Sequence, residues 1–421
     1  MSEHKSTSRP VSLLIVGAGS RGQGYAHYAT AAPDRARVVG VAEPRRDRRE
    51  RLALEHGIPG ENVFDDWLAA AGRERFADAV LICTPDAEHE APTLAFARQG
   101  YHILLEKPMA PTAEACRRIV GAVREAKVIF AVCHVMRYTA FTEEVKRLIA
   151  GGAVGEVVNV QHLEPVGFWH QAHSYVRGNW RKESESSSML LAKSCHDLDW
   201  LRYVIDRPCR RVSSFGSRVH FRRENQPAGA ADRCLECAVE PACPYSAKRI
   251  YLEAVRKGHT GWPVDVLTSQ PTEAGVLASL ATGPYGRCVY ACDNDVVDHQ
   301  VVNLEYDGGV AASFTMTAFS PMMGRLTRIG GTRGWMDADG THIRLFDFMT
   351  GEWRTIDTEA GDAGILGGHG GGDGRLMAAF VKAVATGDRS LILSGPDETL
   401  ESHLTVFAAE EARRTGRVLP V

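Results

Sequence analysis

The chain has 421 residues, 44% hydrophobic and 24% charged, with a formal net charge of −3 at pH 7. That balance is ordinary for a globular protein and argues against nucleic acid or an anionic membrane as partner. No apolar run reaches the roughly 18 residues of a membrane helix, and at roughly 150 residues per domain the length predicts two or three domains.

The first ten residues, Met1 to Pro10, are polar and no apolar signal core follows, which points to a cytoplasmic protein. Ten cysteines are no disulfide scaffold, and reduced thiols are expected. Ser12 to Val16 reads as a strand that breaks into Gly17-Ala18-Gly19-Ser20-Arg21-Gly22, a G-x-G-x-x-G turn, before a helix over about Gln23 to Ala32. A second strand, Arg37 to Ala42, ends in Glu43. This is the order of the dinucleotide fingerprint. Gly17 permits the turn, Gly19 lets a pyrophosphate approach the backbone, and Gly22 lets helix and strand pack. Ser20 and Arg21 lie in this turn before the helix, whose free N–H groups and dipole face the phosphates. Glu43 follows Gly22 by 21 residues (43 − 22), where a carboxylate can accept from ribose hydroxyls and would repel a 2′-phosphate. NAD is therefore expected over NADP, with Arg45 and Arg46 as the opposing signal.

Ala79 to Cys83 is a short strand ending in Thr84-Pro85-Asp86, and a helix over Glu90 to Gln99 follows. Tyr101 to Leu105 is a strand ending in Glu106-Lys107-Pro108. Thr112 to Ala126 reads as helix and Val128 to Val132 as strand. Alternating strands and helices predict a parallel, doubly wound sheet. Ligands bind beyond the carboxyl ends of such strands, where Thr84-Pro85 and Glu106-Lys107 both lie. Lys107 is aimed at that crevice, and Pro108 stiffens the turn presenting it.

The chain is expected to divide at 1–135 and 136–421. His134 to Tyr138 marks the crossing, and Arg137 and Tyr138 are candidate substrate contacts. So are His173, Trp180 and Arg181, in a polar, aromatic stretch before a helix over Met189 to Ile205. That helix carries His196 and Asp199. Arg137, Tyr138, His173, Trp180 and Arg181 can equally be interdomain packing or surface loop, and His196 a satisfied core histidine. Asp197, four residues after Lys193, reads as half of a helical ion pair. An insertion at about 222–285 contains Cys234, Cys237 and Cys243, C-x2-C-x5-C, which predicts a structural zinc site lacking its fourth ligand. His220, Cys209, Cys288 and Cys292 are candidates for it, and packed reduced thiols are the competing reading. Strand signals return at Val296 to Tyr306, Val310 to Phe319, Leu326 to Ile329 and His342 to Phe348, with Asp307-Gly308-Gly309 as a hairpin turn. Val157 to Leu163 and Val212 to Val219 complete the expected second sheet. The run from Gly367 to Asp373 holds five glycines and reads as a mobile loop, with His369 or Asp373 placed to close over a substrate.

The sequence resembles the Gfo/Idh/MocA family, named for glucose–fructose oxidoreductase and inositol dehydrogenase. The glycine turn, Cys83-Thr84-Pro85-Asp86-Ala87-Glu88-His89, Glu106-Lys107-Pro108 and the segment Leu190 to Asp199 carry the likeness, which spans nearly the whole chain outside the insertion. It implies a Rossmann domain and a second α/β domain with a large, mostly antiparallel sheet. It also implies cofactor contacts through Thr84, Pro85, His89, Glu106 and Lys107, and homodimers or homotetramers built through the second sheet. Hydride transfer between a nicotinamide and a hydroxyl carbon of a sugar or cyclitol is the implied chemistry. Many members carry an acid four residues before the histidine, where this chain has Ala192.

Oxidising a secondary alcohol needs a base for the hydroxyl proton and positive charge for the alkoxide. His196 suits the first role and Lys107 the second. Two rivals stand beside a plain dehydrogenase. One retains and recycles the cofactor while cleaving a glycoside without net redox, and Ala192 favours it. The other is a nucleotide-sensing regulator without catalysis, against which Lys107 and His196 both argue.

Overall fold

The computed structural model describes residues 9–358 and 368–421. Six strands alternate with helices over the first third: β1 Val11–Val16, β2 Ala36–Ala42, β3 Val63–Phe64, β4 Ala79–Ile82, β5 His102–Leu105 and β6 Phe130–Val132. All neighbours pair in parallel, in the order β3-β2-β1-β4-β5-β6. Every residue of β1 and β4 is buried, as befits strands covered on both faces. The strand order reverses between β1 and β4, so a crevice opens at their carboxyl ends. Val16 pairs with Ile82 and Ile82 with Leu105, which brings Gly17, Cys83-Thr84 and Glu106-Lys107 to one edge.

The second sheet has nine strands: β7 Val157–Pro165, β8 Cys209–Ser217, β9 His299–Tyr306, β10 Ala311–Thr317, β11 Leu326–Gly331, β12 Gly334–Ala338, β13 His342–Asp347, β14 Trp353–Asp357 and β15 Leu419–Pro420. Their order is β14-β13-β12-β11-β7-β10-β9-β8-β15, antiparallel except for β7 with β10. Asp307-Gly308-Gly309 joins β9 to β10 as a hairpin, both glycines at positive φ. Alternation along β7 buries Val160, His162 and Glu164 and exposes Gln161. Helices Met189–Ile205 and Pro396–Thr415 cover the buried face, while Val158 and Phe215 lie exposed on the sheet. β3, β12, β14 and β15 are absent from the sequence reading. They are short strands of two to five residues: β3, β14 and β15 lie at sheet edges, and β12 alternates cleanly but over five residues only, between β11 and β13.

The end of the chain returns to the first sheet. Helix Gly372–Thr386 buries Leu376, Met377, Phe380 and Val381 in the cluster that holds Leu13, Ile15 and Tyr25. Among the described residues no helix is long and apolar enough to cross a membrane.

Candidate active site

The glycine turn is built for close approach. Gly17 has φ +89°, and a Cβ there would stand 2.6 Å from the Cys83 carbonyl oxygen; a Cβ on Gly22 would stand 2.0 Å from the Gly17 carbonyl oxygen. Only glycine fits either place. Above Gly19 the space is open, the nearest atom to an added Cβ being an Arg48 guanidinium nitrogen at 3.5 Å. Helix Ser20–Ala31 starts there, with its first N–H groups facing the opening. Buried Glu43 ties this turn to the end of β2, accepting from the backbone N–H of Ala18 (2.7 Å) and of Arg45 (2.9 Å). The cradle therefore fits a dinucleotide: a backbone-lined turn, a helix N-terminus and an acid at the end of the second strand.

Three of the predicted cofactor residues, Arg21, Glu106 and His89, serve the scaffold. Arg21 donates through Nε to Glu106 (2.6 Å), and also to the Tyr25 hydroxyl and to Asp373 (2.5 Å) of helix Gly372–Thr386. Glu106 also accepts from Tyr25 (2.8 Å) and from the Lys107 N–H (2.9 Å). Burial pushes the Glu106 carboxyl up, but Arg21 and Lys107 outweigh it and hold it below its ordinary range. His89 is fully buried, one ring nitrogen 2.7 Å from the Pro108 carbonyl oxygen and the other 2.9 Å from that of Thr84. It braces the Thr84-Pro85 turn against the turn that presents Lys107.

Lys107 reaches across to the second domain. Its Nζ donates to the Ala192 carbonyl oxygen at 2.7 Å. In an α-helix that carbonyl also receives the N–H of residue 196, four positions on, so the amine meets helix Met189–Ile205 on the turn that carries His196. The His196 ring lies edge-on to His134, with centroids 5.5 Å apart. His134 is fully buried, and burial pushes it down to about 3, so it is neutral at pH 7. Lys107 thus meets the same helix, four residues before His196.

Several other predicted contacts are engaged elsewhere. Arg137 and Asp199 are buried against each other in a two-pronged pair (2.7 Å each), and Ser402 donates to the same carboxylate at 2.8 Å. The Tyr138 hydroxyl accepts from the N–H groups of Leu393 (2.9 Å) and Ser394 (3.2 Å). Arg181 pairs with Glu185 (2.9 Å) and Asp293 (3.0 Å) near the surface. His173 is buried, its Nδ1 2.8 Å from the Tyr251 hydroxyl and its ring stacked on Tyr285. Trp180 is partly exposed. Gly368–Gly371 forms a turn leading into helix Gly372–Thr386, but the His369 side chain and residue 367 lie outside the described residues.

Two expectations are corrected. Lys193 and Asp197 do not pair with each other. Lys193 binds Glu164 of β7 (3.0 Å), and Asp197 binds Arg325 (2.5 Å) and His162 (3.1 Å), because both side chains face the sheet beneath the helix. Arg325 also reaches Glu164 at 3.0 Å, which closes a charged chain that sequence reading missed. The zinc expectation is not met either. Cys234, Cys237 and Cys243 line a cavity of about 140 Å³ with Cys288, all ten cysteines are free, and among the described residues no group of three or more His, Cys, Asp or Glu could hold a metal ion. Cys237 and Cys243 each follow a one-turn helix in extended backbone, which spreads the thiols around the cavity.

Comparison with known proteins settles the family. Residues 11–134 match the model of an oxidoreductase family NAD-binding Rossmann fold, and residues 146–421 match that family's C-terminal alpha/beta domain. The chain belongs to the Gfo/Idh/MocA oxidoreductase family. It is 24% identical to YteT of Bacillus subtilis (strain 168) over 333 residues, 75% of this chain and 74% of that one. With the 2,7-anhydro-N-acetylneuraminate hydratase of Escherichia coli (strain K12) it shares 26% identity over 205 residues, 49% of this chain and 52% of that one. With inositol 2-dehydrogenase 1 of Saccharopolyspora erythraea it shares 28% over 225 residues, 52% and 60% of the two chains. The chain thus spans between half and three quarters of these relatives. An Agrobacterium radiobacter oxidoreductase solved with NAD+, L-tartaric acid and magnesium superposes with TM-score 0.71 at 14% identity, covering 97% of this chain and 98% of that one. The WlbA dehydrogenase of Bordetella pertussis, solved with NADH and UDP-GlcNAcA, gives 0.67 at 18% identity, covering 99% of each. These family members share the two-domain fold.

Proposed function

We propose that the protein is an NAD(H)-dependent oxidoreductase acting on a secondary hydroxyl or ketone of a sugar, glycoside or cyclitol. The observation that carries this reading is the 2.7 Å contact of the Lys107 amine with the Ala192 carbonyl, one helical turn from His196 and beside the dinucleotide crevice. Bound nicotinamide would accept or supply the hydride. Gly17, Gly19, Ser20 and Gly22 would hold its pyrophosphate, and Glu43 at the ribose end favours NAD over NADP. Lys107 holds positive charge where an alkoxide forms, and His196 takes the hydroxyl proton or returns it in reduction. The inositol dehydrogenase relative supports the substrate class. The open face of the nine-stranded sheet is the surface through which homodimers or homotetramers would form in the cytoplasm.

Asp86 is our choice for the carboxylate that position 192 lacks. Asp197 and Asp199 are buried in other pairs, whereas Asp86 stands at the end of β4 beside Lys107's strand. It accepts from Ser186 (3.3 Å) and Ser187 (3.4 Å) just before the His196 helix.

Ala192 and the hydratase relative also favour a second reading, redox-neutral chemistry with a recycled cofactor. Incubating the purified protein and NAD with a panel of sugars, cyclitols and glycosides separates the two. NADH accumulating in step with turnover supports the dehydrogenase, cleavage without NADH supports the second reading, and neither with any substrate overturns both.

A further inference from the structure

Trp262 comes from the insertion and lies 42% exposed, yet its ring packs 5.1 Å from Trp169, 5.1 Å from His170 and 5.4 Å from His173. The row of rings continues from His170 to Tyr175 (5.8 Å) and from Tyr175 to Trp180 (6.2 Å), which is itself 38% exposed. Trp262 and Trp180 keep exposed faces at the two ends of this row, and exposed aromatic surface beside polar groups can serve as a binding site. The row begins just past the end of β7, whose Glu164 binds Lys193 of the helix that carries His196. Burial and then the charge of Lys193 push His170 down to about 3, so this ring is neutral at pH 7.

We propose that the insertion builds a subsite for a second ring, with Trp262 as the platform and His170 as the polar partner, so that the preferred substrate is a glycoside or oligosaccharide rather than a single sugar. The inference rests on the carbohydrate reading above and extends it. A pyranose is apolar across its C–H face and polar at its rim, which matches an indole face edged by an imidazole. The ring that reacts must lie at Lys107 and His196. Trp262 packs on His170 just past the end of β7, and the next sugar of a chain would sit on its exposed face.

The test is calorimetric titration of the NADH-loaded full chain with aldopyranoses and with disaccharides that contain them. The expected result is tighter binding of a disaccharide than of its component sugars. Trp262→Ala should remove about tenfold of that gain, the equivalent of about 1.4 kcal/mol, and Trp262→Phe should keep most of it. Component sugars that bind while a second ring adds nothing, or a gain that survives Trp262→Ala, would overturn the subsite and leave the carbohydrate reading standing. Binding of neither class would overturn the carbohydrate reading and the subsite with it.

Discussion

Lys107 of the first domain donates to the backbone carbonyl of Ala192 in the second, 2.7 Å away, without a carboxylate from that helix position to hold it. A main-chain carbonyl is a weaker anchor for an ammonium than a carboxylate. The amine is therefore more easily drawn to whatever oxygen arrives beside His196. Lys107→Met should leave NADH affinity nearly intact by fluorescence titration and lower turnover on a substrate found in the panel by about 100-fold or more, the scale of one lost electrostatic or acid–base group. Unchanged turnover would remove Lys107 from the chemistry.

Asp86→Asn should lower turnover by roughly tenfold or more, the lower range for a lost charged partner, while Tm stays within a degree or so. Placing the acid back on the helix with Ala192→Asp in the same chain should restore a large part of the rate. A double variant no faster than Asp86→Asn alone would argue that the two positions are not equivalent.

Arg137 and Asp199 are both nearly inaccessible, and their pairing leaves neither charge alone. Arg137→Met would strand the carboxylate and should cost about 3–5 kcal/mol of stability, seen as a lower urea midpoint with an unchanged slope. A loss below about 1 kcal/mol would show that water or Ser402 compensates.

Stability should fall on mild acidification. Buried His134 and His173 are held down to about 3 and about 4, mainly by burial, against an ordinary value of about 6.5. Between those values the unfolded chain binds protons that the folded chain refuses, so stability rises with pH across the window and is lost as pH drops below about 6.5. Each histidine contributes up to roughly 1.4 kcal/mol per pH unit there. Glu106 and Asp199, held low, keep their contributions until pH falls below about 4. Differential scanning calorimetry should show Tm falling from pH 6.5 to 4.5, less steeply in His134→Asn. A flat Tm across that range would contradict the burial argument.

What was legible in the sequence was what is local. The glycine turn works through contacts of residues 17, 22 and 83 at one sheet edge, and strand composition already fixes that edge. Met189–Ile205 was bounded correctly because a Ser188 cap and an apolar run define it. Partners drawn from distant strands were not legible. Lys193 and Asp197 sit at ideal helical spacing, yet Glu164 from β7 and Arg325 beside β11 claim them, and only the sheet order brings those residues beneath the helix. Helix Pro396–Thr415 was missed although its signals are present: proline at its start, acids in the first turn, arginines in the last and glycine after it. The aromatic loop residues look like substrate contacts by type, but burial assigns His173 to packing and leaves Trp262, which no local pattern singles out, in the open.

The packing of Gly372–Thr386 against the first sheet bears on how this polypeptide can be dissected. A fragment stopping at residue 135 would lose Leu376, Met377, Phe380 and Val381 from its flank, each a side chain whose burial is worth roughly 1.5–3 kcal/mol, together with the Asp373 clasp on Arg21. The nucleotide-binding third and the tail of the chain are thus obliged to fold as one cooperative unit, whatever the linear boundary between them.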